Sequence, residues 1–83
     1  MRRRLMVNES RRFPLAVEIN GTTWHGERVV TGRRVLQQTI VSTLGSKSDA
    51  HSYSGARITA METVARIILA EIVHAHLHRL YKP

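Results

Sequence analysis

Apolar and polar positions along this chain change their period partway through. Leu15-Ala16-Val17-Glu18-Ile19 alternates on a period of two, which predicts a short strand. Asn20-Gly21 follows. That pair suits a two-residue hairpin turn, because both turn positions require positive φ. Thr22-Thr23-Trp24-His25 opens the returning strand with β-branched and aromatic side chains. Gly26 interrupts it, marking a bulge or a close backbone approach, and Glu27 to Thr31 continues it. Thr31-Gly32 signals a second turn, and residues 33–44 read as a third strand. Its better core face carries Leu36, Gln38, Ile40, Ser42 and Leu44, while Val35, Gln37, Thr39, Val41 and Thr43 form a mildly polar opposite face.

From Gly45 to Gly55 the chain is rich in serine and glycine and reads as a loop, with room for a short edge strand around His51–Tyr53. The period then becomes helical. Met61, Val64, Ala65, Ile68, Leu69, Ile72, Val73, Ala75, His76 and Leu80 recur at helix spacing, with Ile67 off the main stripe. Thr59 and Glu62 match a capping box, so the helix is predicted over 59–80. Residues 1–12 are polar, basic and aperiodic, and read as a flexible basic arm. The fold expected is therefore α+β: a single small domain over 13–83, with a three-stranded antiparallel β-sheet packed against one long C-terminal α-helix.

Composition narrows the function. With 83 residues there is room for one core, and no cysteine is available for disulfides or thiolate metal sites. Met1-Arg2-Arg3-Arg4 is not followed by an apolar run, and no stretch reaches the ~20 apolar residues of a membrane span. A cytoplasmic protein without a membrane partner is the expectation.

The net charge of +7 comes largely from arginine, and the first 34 residues hold eight arginines against three glutamates. Arginine recognises phosphate and carboxylate by bidentate geometry as well as by charge. Arg2, Arg3, Arg4, Arg11, Arg12, Arg33 and Arg34 are accordingly the candidate nucleic-acid-binding residues, with Arg28 and Lys47 placed to extend the patch. The helix is a poor groove reader, because Glu62 and Glu71 balance Arg66 and Arg79. Phe13, Trp24, Tyr53 and Tyr81 form no evident stacking pair in the sequence, so binding is expected to be directed at phosphates.

No catalytic constellation is present, and the chain is not expected to be an enzyme. Asp and Glu are few and scattered, and the serines of the 45–55 loop have no acid–base partner fixed by the sequence. His74 and His78 stand at i and i+4 on the helix, a spacing that can present two imidazoles to a metal. A zinc site needs further ligands, whose approach from His25, His51, Asp49 or Glu71 nothing in the sequence fixes. Gly45-Ser46-Lys47-Ser48 has a phosphate-loop look but lacks the spaced glycine and does not run into the long helix. No cofactor is assigned. The second reading is a protein-interaction module with an acidic protein partner or a second copy of itself, a homodimer built on the outer sheet face or on surplus helix surface.

Gly26, the Gly45-Ser46-Lys47-Ser48 string and Ala65-Arg66-Ile67-Ile68-Leu69-Ala70-Glu71-Ile72 give the stretch 24–73 a pattern that loosely resembles short uncharacterised bacterial proteins. Those run as a β-meander, a Gly-Ser-Lys-Ser loop and a C-terminal helix. The resemblance implies the strand-then-helix order and no activity.

Overall fold

The computed structural model describes residues 10–81. Strands β1 (Ser10–Ile19), β2 (Thr22–Gly32), β3 (Leu36–Ser42) and β4 (Gly45–Ser48) form one antiparallel sheet in the order β1-β2-β3-β4. A 3-10 turn, Gly55–Ala60, then leads into the helix α1, Met61–Tyr81. The architecture is α+β with an antiparallel sheet and one C-terminal helix, as the pattern predicts. No helix among the described residues is long and apolar enough to cross a membrane.

The Asn20-Gly21 turn forms as expected, with φ of 54° and 80°. A two-residue turn fixes the register of everything behind it, from Ile19↔Thr22 back to Ser10↔Thr31 without a break. Pro14 is accommodated because β1 lies at the sheet edge, where a missing N–H breaks no ladder on the free side. Gly26 is a close approach and not a bulge. A Cβ there would stand 2.8 Å from the Val41 carbonyl oxygen and 3.1 Å from Leu69 Cδ1, so the glycine lets the helix settle onto the middle of β2.

Three expectations are corrected. The sheet has four strands, not three. Gly45–Ser48, which reads as loop, pairs with β3 through Thr39↔Ser48, Ile40↔Lys47, Val41↔Ser46 and Ser42↔Gly45. Its residues have weak strand preference, and pairing along a preformed edge overrides that preference. Ser10, Arg11 and Arg12, expected in the arm, belong to β1, because Val29, Val30 and Thr31 extend β2 far enough to pair with them. The remaining arm positions, including Arg2, Arg3 and Arg4, lie outside the described residues. The capping box does not form. Thr59 Oγ1 donates to the Ala56 carbonyl (2.9 Å), inside a 3-10 turn, and Glu62 pairs with Arg66 one helical turn on.

Alternation sends Leu15, Val17, Trp24 and Ile40 to the face under α1, where Leu44 of the β3–β4 turn joins them and Ala65, Ile68, Leu69, Ile72 and Val73 meet them. Ile40, Leu69 and Val73 are completely enclosed, each worth about 1.5–3 kcal/mol of apolar burial. The Trp24 ring meets His76 of α1 edge-on at 6.1 Å, and its buried Nε1 has no hydrogen-bond partner among the described residues. A smaller cluster of Val30, Leu36, Tyr53 and Met61 closes the other end of the layer.

Candidate nucleic-acid interface

The meander decides where the arginines stand. Arg11 and Arg12 lie at the start of β1, opposite Val30 and Val29 near the end of β2. Arg33 and Arg34 follow Gly32 in the β2–β3 turn, just beyond that pairing. Arg28 lies across from Phe13 on the helix-facing side. Arg57 sits on the 3-10 turn, which Tyr53 holds at the same end of the sheet through paired backbone hydrogen bonds with Leu36 (2.7 and 2.8 Å). Residues far apart in sequence thus become one cationic end.

Arg11 and Arg12 diverge, as neighbours on a strand must. Arg12 points to the outer face and pairs with Glu27 at 2.9 Å. Arg11 points to the inner face and lines a hollow of about 220 Å³ with Phe13, Arg28 and Ile58, floored by Val30, Leu36 and Met61. The Arg28 guanidinium carbon stands 4.5 Å from the centre of the Phe13 ring, a cation–π stack. Phe13 and Ile58 keep 37% and 39% of their surface exposed although they border the core.

The acidic residues are disposed elsewhere. Of those described, Glu62 pairs with Arg66, Glu71 with Lys47 (2.8 Å) and Glu27 with Arg12. Glu18 lies near the opposite turn, and Asp49 is buried. Among the described residues no carboxylate pairs with Arg11, Arg28, Arg33, Arg34 or Arg57. Lys47, placed by sequence at the edge of the patch, instead faces the helix, and the Gly45–Ser48 string is strand and not an anion-binding loop.

Behind the cationic end lies a buried polar knot. The Asp49 side chain is 2% exposed and accepts hydrogen bonds from Gln38 Nε2 (2.9 Å), the Tyr53 hydroxyl and the His51 backbone N–H (2.9 Å). The His51 ring, itself largely exposed, rests its Nδ1 3.0 Å from the same carboxylate. Gln38 Nε2 also donates to the Met61 carbonyl (3.0 Å), which ties β3 to the start of α1. Burial pushes the Asp49 carboxyl up, but the hydrogen bonds from Gln38, Tyr53 and His51 outweigh it and hold the group at about 2. Burial, with the adjacent Asp49 charge, raises the Tyr53 phenol to about 12. The knot fixes the segment that carries Arg57 and Ile58.

Sequence reasoning did not place Phe13, Arg57, Ile58 or the Asp49 knot. The Phe13–Arg28 pair had a signal, since counting back from Asn20-Gly21 sets the two opposite each other. Of the histidines weighed as metal ligands, His51 is engaged with Asp49, and no group of three His, Cys, Asp or Glu side chains among the described residues is placed to hold a metal. Compared with known proteins, the chain matches no family model, no curated protein and no solved structure.

Proposed function

We propose that this protein is a non-enzymatic accessory binding protein that holds nucleic acid mainly by its phosphates, through the arginine end of the sheet. The observation that carries this reading is the segregation of charge. Arg11, Arg28, Arg33, Arg34 and Arg57 share one end with no paired carboxylate among the described residues, while Glu62 and Glu71 are spent on cations elsewhere. Unpaired guanidinium groups grouped in this way favour phosphate oxygens, and each phosphate neutralised releases counterions. The helix contributes scaffold and not readout, since Glu62 pairs with Arg66 and Glu71 with Lys47, which leaves Arg79 as its one arginine without an ion pair among the described residues.

The expected result is binding of a 20-base-pair random-sequence duplex or an RNA hairpin by the full chain, weakening steeply between 50 and 200 mM salt. Arg33→Gln with Arg34→Gln should lower affinity roughly tenfold and flatten the salt slope by about one to two. Arg79→Gln, at the helix C-terminus, should change little. Fluorescence anisotropy against salt reads both. Absence of binding at 50 mM salt, or equal losses from the two variants, would sink the reading.

A further inference from the structure

Phosphate contacts need only charge, yet the cationic end also holds a partly open apolar hollow. Its wall is Phe13, left 37% exposed on the inner face, and its rim is Ile58, 39% exposed on the 3-10 turn. Arg28 is half-buried, and its guanidinium already lies on the Phe13 ring at 4.5 Å. Arg11 stands on the same rim. A volume of about 220 Å³ is below the ~300 Å³ at which pockets begin to enclose drug-sized ligands, so the hollow suits a single planar ring system and not an extended molecule.

These features specify an occupant with a flat π surface joined to negative charge. An aliphatic acidic side chain would satisfy Arg11 and leave the Phe13–Arg28 stack unused. A base within a duplex already has its faces covered by its neighbours, so its π surface is unavailable. We infer that the hollow takes an unpaired base of a single-stranded nucleic acid, which continues the Phe13–Arg28 stack while its flanking phosphates lie on Arg11, Arg33 and Arg34. The inference rests on the nucleic-acid reading above and narrows it to single strands. The stack is preformed, so little side-chain freedom is lost on binding, and aromatic stacking tolerates any base.

The test compares three ligands on the full chain at one salt concentration: a single-stranded 12-mer, the same strand carrying abasic sites throughout, and its duplex. The single strand should bind roughly tenfold more tightly than the abasic strand, and more tightly than the duplex. Phe13→Leu, which keeps apolar bulk and removes the π face, should erase the difference between the base-bearing and abasic strands. Phe13→Tyr should restore it. Thermal melts of each variant establish that the fold is retained. Arg33→Gln with Arg34→Gln should instead weaken both strands by the same factor. Equal binding of base-bearing and abasic strands, preference for the duplex, or a difference that survives Phe13→Leu would overturn the base pocket and leave the phosphate reading standing. Competition by poly-glutamate as strong as by the abasic strand, with no gain from bases, would also overturn it and point to an acidic protein partner. Failure of every nucleic acid to bind at 50 mM salt would end both.

Discussion

Asp49→Ala is expected to cost about 3 kcal/mol of folding stability, a large part of the roughly 4–12 kcal/mol available to a chain of this size. The loss is larger than one hydrogen bond because the carboxylate gathers Gln38, Tyr53 and His51 at once. Its removal leaves the Tyr53 hydroxyl, in a residue 5% exposed, without its partner and strips Gln38 Nε2 of one of its two acceptors. The melting temperature should fall by roughly 12–24 °C.

Asp49→Asn, similar in shape but uncharged, should cost less, and it separates packing from charge through the pH profile. The carboxyl titrates near 3.8 when unfolded and at about 2 when folded, so its contribution is complete above about pH 4 and disappears as the pH falls toward 2. That limb, worth about 2 kcal/mol, should be present in the parent chain and missing in Asp49→Asn. Tyr53 adds an alkaline limb. Its phenol keeps its proton to about 12 in the folded chain against 10 when unfolded, so stability falls as the pH rises between them, and Tyr53→Phe should abolish that fall. Urea unfolding at pH 2, 4, 7 and 11 measures both limbs. An Asp49→Ala variant within 1 kcal/mol of the parent would mean that the knot contributes little to stability.

Gly32→Ala should be comparably damaging for an unrelated reason. Gly32 has φ of +104°, and a Cβ built there would lie 2.1 Å from the Val35 carbonyl oxygen, a backbone atom that cannot rotate away. Positive φ alone costs a non-glycine residue about 1–2 kcal/mol, and relieving the overlap means opening the β2–β3 turn, for a total of about 3 kcal/mol or more. Gly21→Ala is the control. Gly21 also has positive φ (+80°), but none of the described residues stands within 4 Å of its added Cβ, so only the conformational cost applies. Equal unfolding midpoints for the two variants would contradict the clash. Because Arg33 and Arg34 ride on the opened turn, Gly32→Ala should also reduce binding at the cationic end, whereas Gly21→Ala, at the far end of the hairpin, should not.

Much of this architecture was legible in the residues. The period-two run before Asn20-Gly21 and the helical stripe after Met61 announce sheet and helix, and the two-residue turn even sets the cross-strand partners. What escaped was tertiary in origin. Gly45-Ser46-Lys47-Ser48 has the composition of a turn and becomes a strand only because β3 offers an open edge. Thr59 and Glu62 satisfy a capping pattern, yet a 3-10 turn claims the threonine and Arg66 claims the glutamate. Alternation puts Gln38 on the core face, but nothing local says that a buried amide there must meet a lone aspartate from a polar loop. The arginines were visible as residues. That Phe13 and Ile58 frame a hollow among them depends on how the 3-10 turn lies over the sheet.

The contact between Trp24 and His76 gives the molecule a built-in optical signal. Trp24 is the chain's one tryptophan, and its indole sits on β2 against the C-terminal half of α1. Its emission colour therefore reports the seating of that half of the helix on the sheet. Lifting the helix away would wet the ring and shift its fluorescence to the red, even while the hairpins remained zipped. Loosening confined to the arginine end, some distance along the sheet, would leave the colour unchanged. Unlabelled protein thus distinguishes a frayed binding end from an undocked helix.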